Sequence, residues 1–147
     1  MNTTMDTETR RLLEAMNRQP AVDFSQLPID ALRQAMTMPQ GKVEAVGRVW
    51  EETIAGGDGQ PLRLRLYAPE AAAATRPAML FLHGGGFVLC DLDSHDNICR
   101  ALCNAAGALV VSVAYRLAPE HPFPAAPEDA YSAFQWLASQ AVELDVD

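Results

Sequence analysis

The sequence predicts an α/β fold in which an antiparallel hairpin leads into parallel strands with flanking helices. Three observations carry that prediction. Leu62-Arg63-Leu64-Arg65-Leu66-Tyr67 alternates apolar and charged residues with the period of a half-buried strand, and the turn signal Gly56-Gly57-Asp58-Gly59 separates it from a β-rich stretch over 43–54. Residues 78–82 are apolar throughout and 108–114 are apolar but for Ser112, as strands of a helix-covered parallel sheet are. Between these two runs, residues 95–106 keep helical spacing and stop at Gly107, which makes one strand–helix–strand crossover.

In chain order, residues 7–18 are expected to form a helix with Leu12, Leu13 and Met16 on one face, capped by Thr7 or Thr9 and ended by Pro20. A second helix is expected over 28–36, with Pro28 in its first turn and Leu32 and Met36 on its apolar side, before Pro39-Gln40-Gly41 breaks the pattern. The two helices suit either a small lid or an N-terminal embellishment. After the hairpin, with leucines inward and arginines outward, residues 69–76 form an Ala-rich connection. Beyond the second apolar strand comes a Pro-rich loop over 115–125, then a helix over 126–142 with Ala130, Ala133, Phe134, Leu137 and Ala141 inward.

The chain has 147 residues, 49% hydrophobic and 20% charged, enough for one domain with a core. A net charge of −8 argues against nucleic acid or an anionic membrane as the main partner. No apolar run approaches the ~20 residues of a membrane span, and the first residues lack the pattern of a secretory signal. Cys90, Cys99 and Cys103 are therefore expected to be reduced thiols in the cytoplasm. Cys99 and Cys103 lie one helical turn apart, which favours a buried helix face over a metal pair.

The stretch with most chemical content is His83-Gly84-Gly85-Gly86-Phe87-Val88, after the first apolar strand. Consecutive glycines weaken regular structure, so they suit a backbone with unusual dihedrals or one that something approaches closely. The plain alternative is a Gly-rich strand-to-helix turn. Two further stretches weigh against that alternative: Asp91-Leu92-Asp93-Ser94-His95-Asp96, and Tyr115-Arg116-Leu117-Ala118-Pro119-Glu120-His121-Pro122-Phe123-Pro124-Ala125-Ala126 with Glu128-Asp129-Ala130. In order and spacing these resemble the N-terminal half of the hormone-sensitive-lipase-like (family IV) carboxylesterases, which are α/β-hydrolases. The resemblance covers about residues 78–140; Cys90 departs from it, where many members have glycine.

That resemblance implies a serine carboxylesterase acting on short acyl esters through an acyl-enzyme, with no metal or organic cofactor. Residues 1–40 would be a helical cap segment and 41–147 an incomplete hydrolase core. Backbone N–H groups of Gly84, Gly85 and Gly86 would form the oxyanion hole, with Gly85 and Gly86 the chief donors and Gly84 shaping the turn. His83 would shape the loop and Phe87 would line the substrate pocket. His95 is expected to serve the start of its helix by capping and charge. Arg116 with Glu120, and Glu128 with Asp129, are expected to brace the Pro-rich loop. Trp50, Trp136, Phe123 and Phe134 are expected in the core.

Acyl transfer needs an activated nucleophile. None of Ser25, Ser94, Ser112, Ser132 and Ser139 is flanked by glycines in the required G-x-S-x-G elbow. The nucleophile, acid and base are thus expected outside these 147 residues, and the chain alone is expected to be inactive. A longer esterase of which this is one segment is the favoured account; a natural truncation and a separate chain supplying the other half are the alternatives. A homodimer stays open. So do a non-catalytic small-molecule-binding module, like the gibberellin receptor of the same fold, and an inactive interaction fragment.

Overall fold

A computed structural model of the chain describes residues 5–18, 27–35, 43–70 and 75–147. They divide into two compact units, Met1–Leu32 and Arg33–Asp147. In the first unit, helix α1 (Thr7–Asn17) forms where the spacing predicts it. Its cap is Asp6, not a threonine: the Asp6 carboxylate accepts from the Glu8 and Thr9 N–H groups at 3.0 and 2.9 Å. Leu12 and Leu13 are exposed at 61% and 39%. Helix α2 (Ile29–Ala35) follows, its first bond running from the Leu32 N–H to the Pro28 carbonyl. Pro20, Met36 and the Pro39-Gln40-Gly41 break lie outside the described residues, as does the side chain of Met16.

The second unit is built on a four-stranded sheet. Strands β1 (Arg48–Ala55) and β2 (Pro61–Ala68) form the predicted hairpin, in register from Arg48↔Ala68 to Ala55↔Pro61. Strands β3 (Ala78–Leu82) and β4 (Leu109–Val113) are parallel neighbours, joined through helix α3 (Asp96–Ala106). The order is β1-β2-β4-β3, with β4 inserted between the hairpin and β3 and antiparallel to β2. Every residue of β4 is buried. β3 is only partly so, because it is the edge strand.

The two faces of the sheet are covered separately. Leu62, Leu64 and Leu66 of β2 join Leu109, Val111 and Val113 of β4 beneath Ala126, Ala133 and Leu137 of helix α4 (Ala125–Ser139). Tyr67 and Val110 pack on the other face against Cys99 and Cys103 of α3. The cysteines thus form the buried helix face, and the Cys103 thiol donates to the Tyr67 carbonyl at 3.3 Å; Ile98, the residue before Cys99, is exposed. Burial pushes the Cys99 thiol up to about 11. The leucines of β2 point inward as the alternation predicts. Of the arginines Arg63 is exposed and pairs with Glu51 at 3.6 Å, whereas Arg65 is largely covered and binds Glu51 and Asp93 at 2.8 and 2.7 Å.

Two expectations about α4 are corrected. The helix ends at Ser139, short of 142, and its buried positions are Ala125, Ala126, Asp129, Ala133 and Leu137. Phe134 is 57% exposed and Phe123, in the preceding loop, 88% exposed, so neither is core. The spacing identifies a face, but the face that the sheet covers is the one carrying small residues and the Asp129 carboxylate. Trp50 and Trp136 do pack against the core.

Candidate active site

β3 ends at Leu82 and delivers the chain into the His83–Gly86 loop. His83 is buried, at 4% exposure, and its imidazole stacks on the Tyr115 ring with centroids 4.2 Å apart. The Tyr115 hydroxyl donates to the His83 carbonyl at 2.6 Å. His83 Nδ1 lies 2.8 Å from the Gly84 carbonyl, which can only accept, so Nδ1 carries the proton. Burial pushes the His83 imidazole below its ordinary value and favours this neutral form. The His83 ring thus holds the Gly84–Gly85 peptide by the Gly84 carbonyl.

The three glycines differ. The Gly84 N–H donates to His95 Nε2 at 3.4 Å, which takes it away from any substrate. Gly85 has φ +119°, and a Cβ there would lie 2.1 Å from the Leu89 carbonyl oxygen. Gly86 has φ +62° with open space where a Cβ would go. The Gly85 carbonyl accepts from the Val88 and Leu89 N–H groups at 3.2 and 2.9 Å, closing a tight turn. Neither the Gly85 nor the Gly86 N–H donates to an acceptor among the described residues. Two of the three expected donors are thus without an acceptor among the described residues.

The turn forces left-handed backbone on two residues with side chains. Phe87 has φ 63° and Cys90 φ 69°. Cys90 is thus strained where glycine would not be. Phe87 is exposed and, with Ala118, Phe123, Ala126 and Pro127, lines an apolar cavity of about 480 Å³. The Ala118 N–H donates to the Phe87 carbonyl at 2.8 Å and ties the Pro-rich loop to this wall. Sequence reasoning assigned Phe123 to the core; it lines this cavity instead. Its flanking prolines were the available signal, since they keep residue 123 out of a helix or strand.

The Pro-rich loop is braced by partners other than those expected. Arg116 binds the buried Asp129 carboxylate through Nε at 2.8 Å and a terminal nitrogen at 2.9 Å, and also pairs with Asp58. Asp129 further accepts from the N–H groups of Arg116 and Gly57, both at 3.0 Å. Burial alone would raise the Asp129 carboxyl; the Arg116 guanidinium and these N–H groups prevail and hold it below the ordinary range. Glu120 pairs with Arg33 at 2.8 Å, not with Arg116. Arg33 also donates to the carbonyls of Val88 and Ala118, at 3.0 and 3.1 Å.

His95 precedes α3 and makes no side-chain cap bond. Its ring turns toward the glycine loop instead. Ser94 Oγ lies 3.1 Å from His95 Nδ1, which superficially resembles a nucleophile–base pair. The Ser94 hydroxyl donates to the Asp91 carbonyl, however, and His95 Nε2 is occupied by Gly84. Ser112 is buried in β4, and Ser132 and Ser139 donate to helix carbonyls. Ser25 lies outside the described residues. Among the described residues no serine stands beside a free base, no group of His, Cys, Asp and Glu could hold a metal, and no helix is long and apolar enough to cross a membrane.

Comparison with known proteins agrees with this architecture. A family model described as α/β hydrolase fold matches residues 79–147. Esterase LipI of Mycobacterium tuberculosis is 45% identical over 140 residues, which are 93% of this chain and 42% of LipI. The solved hyperthermophilic esterase from Pyrobaculum calidifontis superposes with a TM-score of 0.81 at 38% identity, over 97% of this chain and 46% of that one. Gibberellin receptor GID1A of Arabidopsis thaliana is more distant, 31% identical over 92% of this chain and 39% of the receptor. The chain spans less than half the length of each relative. From its hairpin-plus-crossover sheet, its glycine loop after β3 and these likenesses, the chain has part of an α/β-hydrolase fold and is similar to esterases of that fold.

Proposed function

We propose that this chain supplies the oxyanion-binding half of a hormone-sensitive-lipase-like carboxylic ester hydrolase. The observation that carries this reading is the pair of uncommitted N–H groups of Gly85 and Gly86, held in a positive-φ turn by bonds to the Gly85 carbonyl while Gly84 is secured at both ends. In acyl transfer the substrate carbonyl oxygen becomes an oxyanion. Fixed donors at about 3 Å stabilise that charge, and each is worth about 10²–10³ in rate. They are pre-oriented by the turn, so the reaction pays no reorganisation cost to align them. Phe87 and Phe123 would flank the acyl or alcohol group in an apolar cavity of about 480 Å³.

In this reading the nucleophile, acid and base come from outside the 147 residues, and residues 1–40 act as a cap segment. Three free cysteines, two of them buried, support a cytoplasmic setting. The test is hydrolysis of p-nitrophenyl acetate and butyrate. A full-length polypeptide containing this chain should turn them over, and the isolated chain should not. Turnover by the isolated 147 residues above the buffer rate would overturn the assignment. Likeness to the gibberellin receptor supports a second reading, a binding module without catalysis. Ligand binding by the full-length polypeptide with no ester turnover would favour it.

A further inference from the structure

We infer that His95 is a positioning residue for the glycine loop, acting as a neutral imidazole protonated on Nδ1 and accepting the Gly84 N–H on Nε2. The inference rests on reading Gly85 and Gly86 as oxyanion donors, and extends it to the group that aims them. Proton bookkeeping fixes the tautomer. A serine hydroxyl has one proton and two lone pairs. Ser94 Oγ donates its proton to the Asp91 carbonyl at 2.9 Å and accepts the Asp91 N–H at 2.9 Å. The remaining lone pair faces His95 Nδ1 at 3.1 Å, so Nδ1–H is the donor. Nε2 then holds a lone pair, and the Gly84 N–H points at it.

The chain of bonds therefore runs from the Asp91–Ser94 turn through one imidazole into the first peptide of the loop. That turn is closed on itself, since the Asp91 carboxylate also accepts the Ser94 N–H at 2.8 Å. His83 grips the same glycine from the carbonyl side, and the two rings stand with centroids 5.8 Å apart. Gly84 has both its backbone polar groups committed to imidazoles. A rotation of its peptides, which would swing the Gly85 N–H, breaks one or both bonds. His95 thus directs the N–H groups it does not touch.

The experiment uses the ¹⁵N-labelled 147-residue chain. Long-range ¹H–¹⁵N spectra should show His95 as the Nδ1–H tautomer, the one a solvent-exposed neutral histidine disfavours. In His95→Ala, Gly84 amide exchange should rise about fivefold at fixed pH, as loss of one neutral hydrogen bond implies, and the Gly85 and Gly86 amide signals should move. His95→Gln, whose side-chain oxygen can reach the Nε2 position, should restore both towards wild type. An Nε2–H tautomer, or a Gly84 amide indifferent to His95→Ala, overturns the inference. If the alanine variant does not fold, the wild-type tautomer still decides it. In a full-length polypeptide, His95→Ala should lower kcat about tenfold with KM unchanged, and His95→Gln should recover it. Absence of turnover in the wild type would refute the esterase reading while leaving the tautomer result to judge His95 itself.

Discussion

Gly85 and Gly86 both have positive φ, but alanine at each should have different consequences. At Gly85 a Cβ would meet the Leu89 carbonyl oxygen at 2.1 Å and its carbon at 2.6 Å, inside any real contact distance. The loop can relieve this only by moving residue 89, which breaks the Val88 and Leu89 N–H bonds to the Gly85 carbonyl. Two such bonds at about 1 kcal/mol each, with backbone strain of about 1–3 kcal/mol, give a cost of about 3–5 kcal/mol. At Gly86 the Cβ points into open space, so only the left-handed backbone is penalised, at about 1 kcal/mol. Urea unfolding followed by circular dichroism would separate them. With a slope of about 2 kcal/mol/M, Gly85→Ala should lower the midpoint by about 2 M and Gly86→Ala by about 0.5 M. Equal midpoints would refute the claim that the Leu89 carbonyl is what demands glycine at 85. In a full-length polypeptide the stability ranking should not carry over to rate. Gly86→Ala places its methyl toward the open side and should still depress kcat, whereas a variant of ordinary activity would remove Gly86 from the hole.

Other predictions follow from the braces around the site. Asp129→Ala breaks a buried ion pair and should cost about 3–5 kcal/mol in urea unfolding. Because the folded Asp129 carboxyl lies below its unfolded value near 3.8, its contribution is present above that pH and lost as pH falls through the folded value. Acid unfolding of wild type should therefore be steeper below about pH 4 than that of Asp129→Ala. Glu120, held at about 2 by Arg33, should return toward 4.5 in Arg33→Ala, measured by carboxyl NMR titration; an unmoved titration would contradict the pairing. Of the three thiols, Cys99 and Cys103 are buried with their values raised, so an aromatic disulfide reagent at pH 8 should modify only Cys90 in the native chain and all three in urea.

Much of the sheet was legible in its residue pattern: the Leu-Arg alternation of β2, the apolar runs of β3 and, but for Ser112, β4, and Gly107 after α3. The glycine loop was legible through its flanking stretches, since three adjacent glycines alone also suit a plain strand-to-helix turn. What escaped the sequence depends on distances across the fold. Arg116 has acidic residues at 120, 128 and 129 within reach along the chain, and nothing local selects Asp129. The choice is made by the β1–β2 turn, which packs so closely on α4 that a Cβ on Gly57 would lie 2.4 Å from that of Glu128. Phe123 and Phe134 were misplaced because apolarity says what can be buried, not whether a neighbour is present to bury it. His95 was read as a cap because residue type and position favour one. Its ring is claimed by the Gly84 N–H, from a loop eleven residues earlier.

The glycine loop also sits at the end of an edge strand. Among the described residues β3 is hydrogen-bonded on one side only, by β4, and its last residue, Leu82, is 48% exposed. A strand running parallel along the other side would lie about 4.8 Å away, its end level with the loop. A group at that end would then be located relative to the Gly85 and Gly86 amides by the ladder of backbone bonds rather than by side-chain fit. Alignment would be inherited from the sheet lattice, and would tolerate wide variation in the side chains around it.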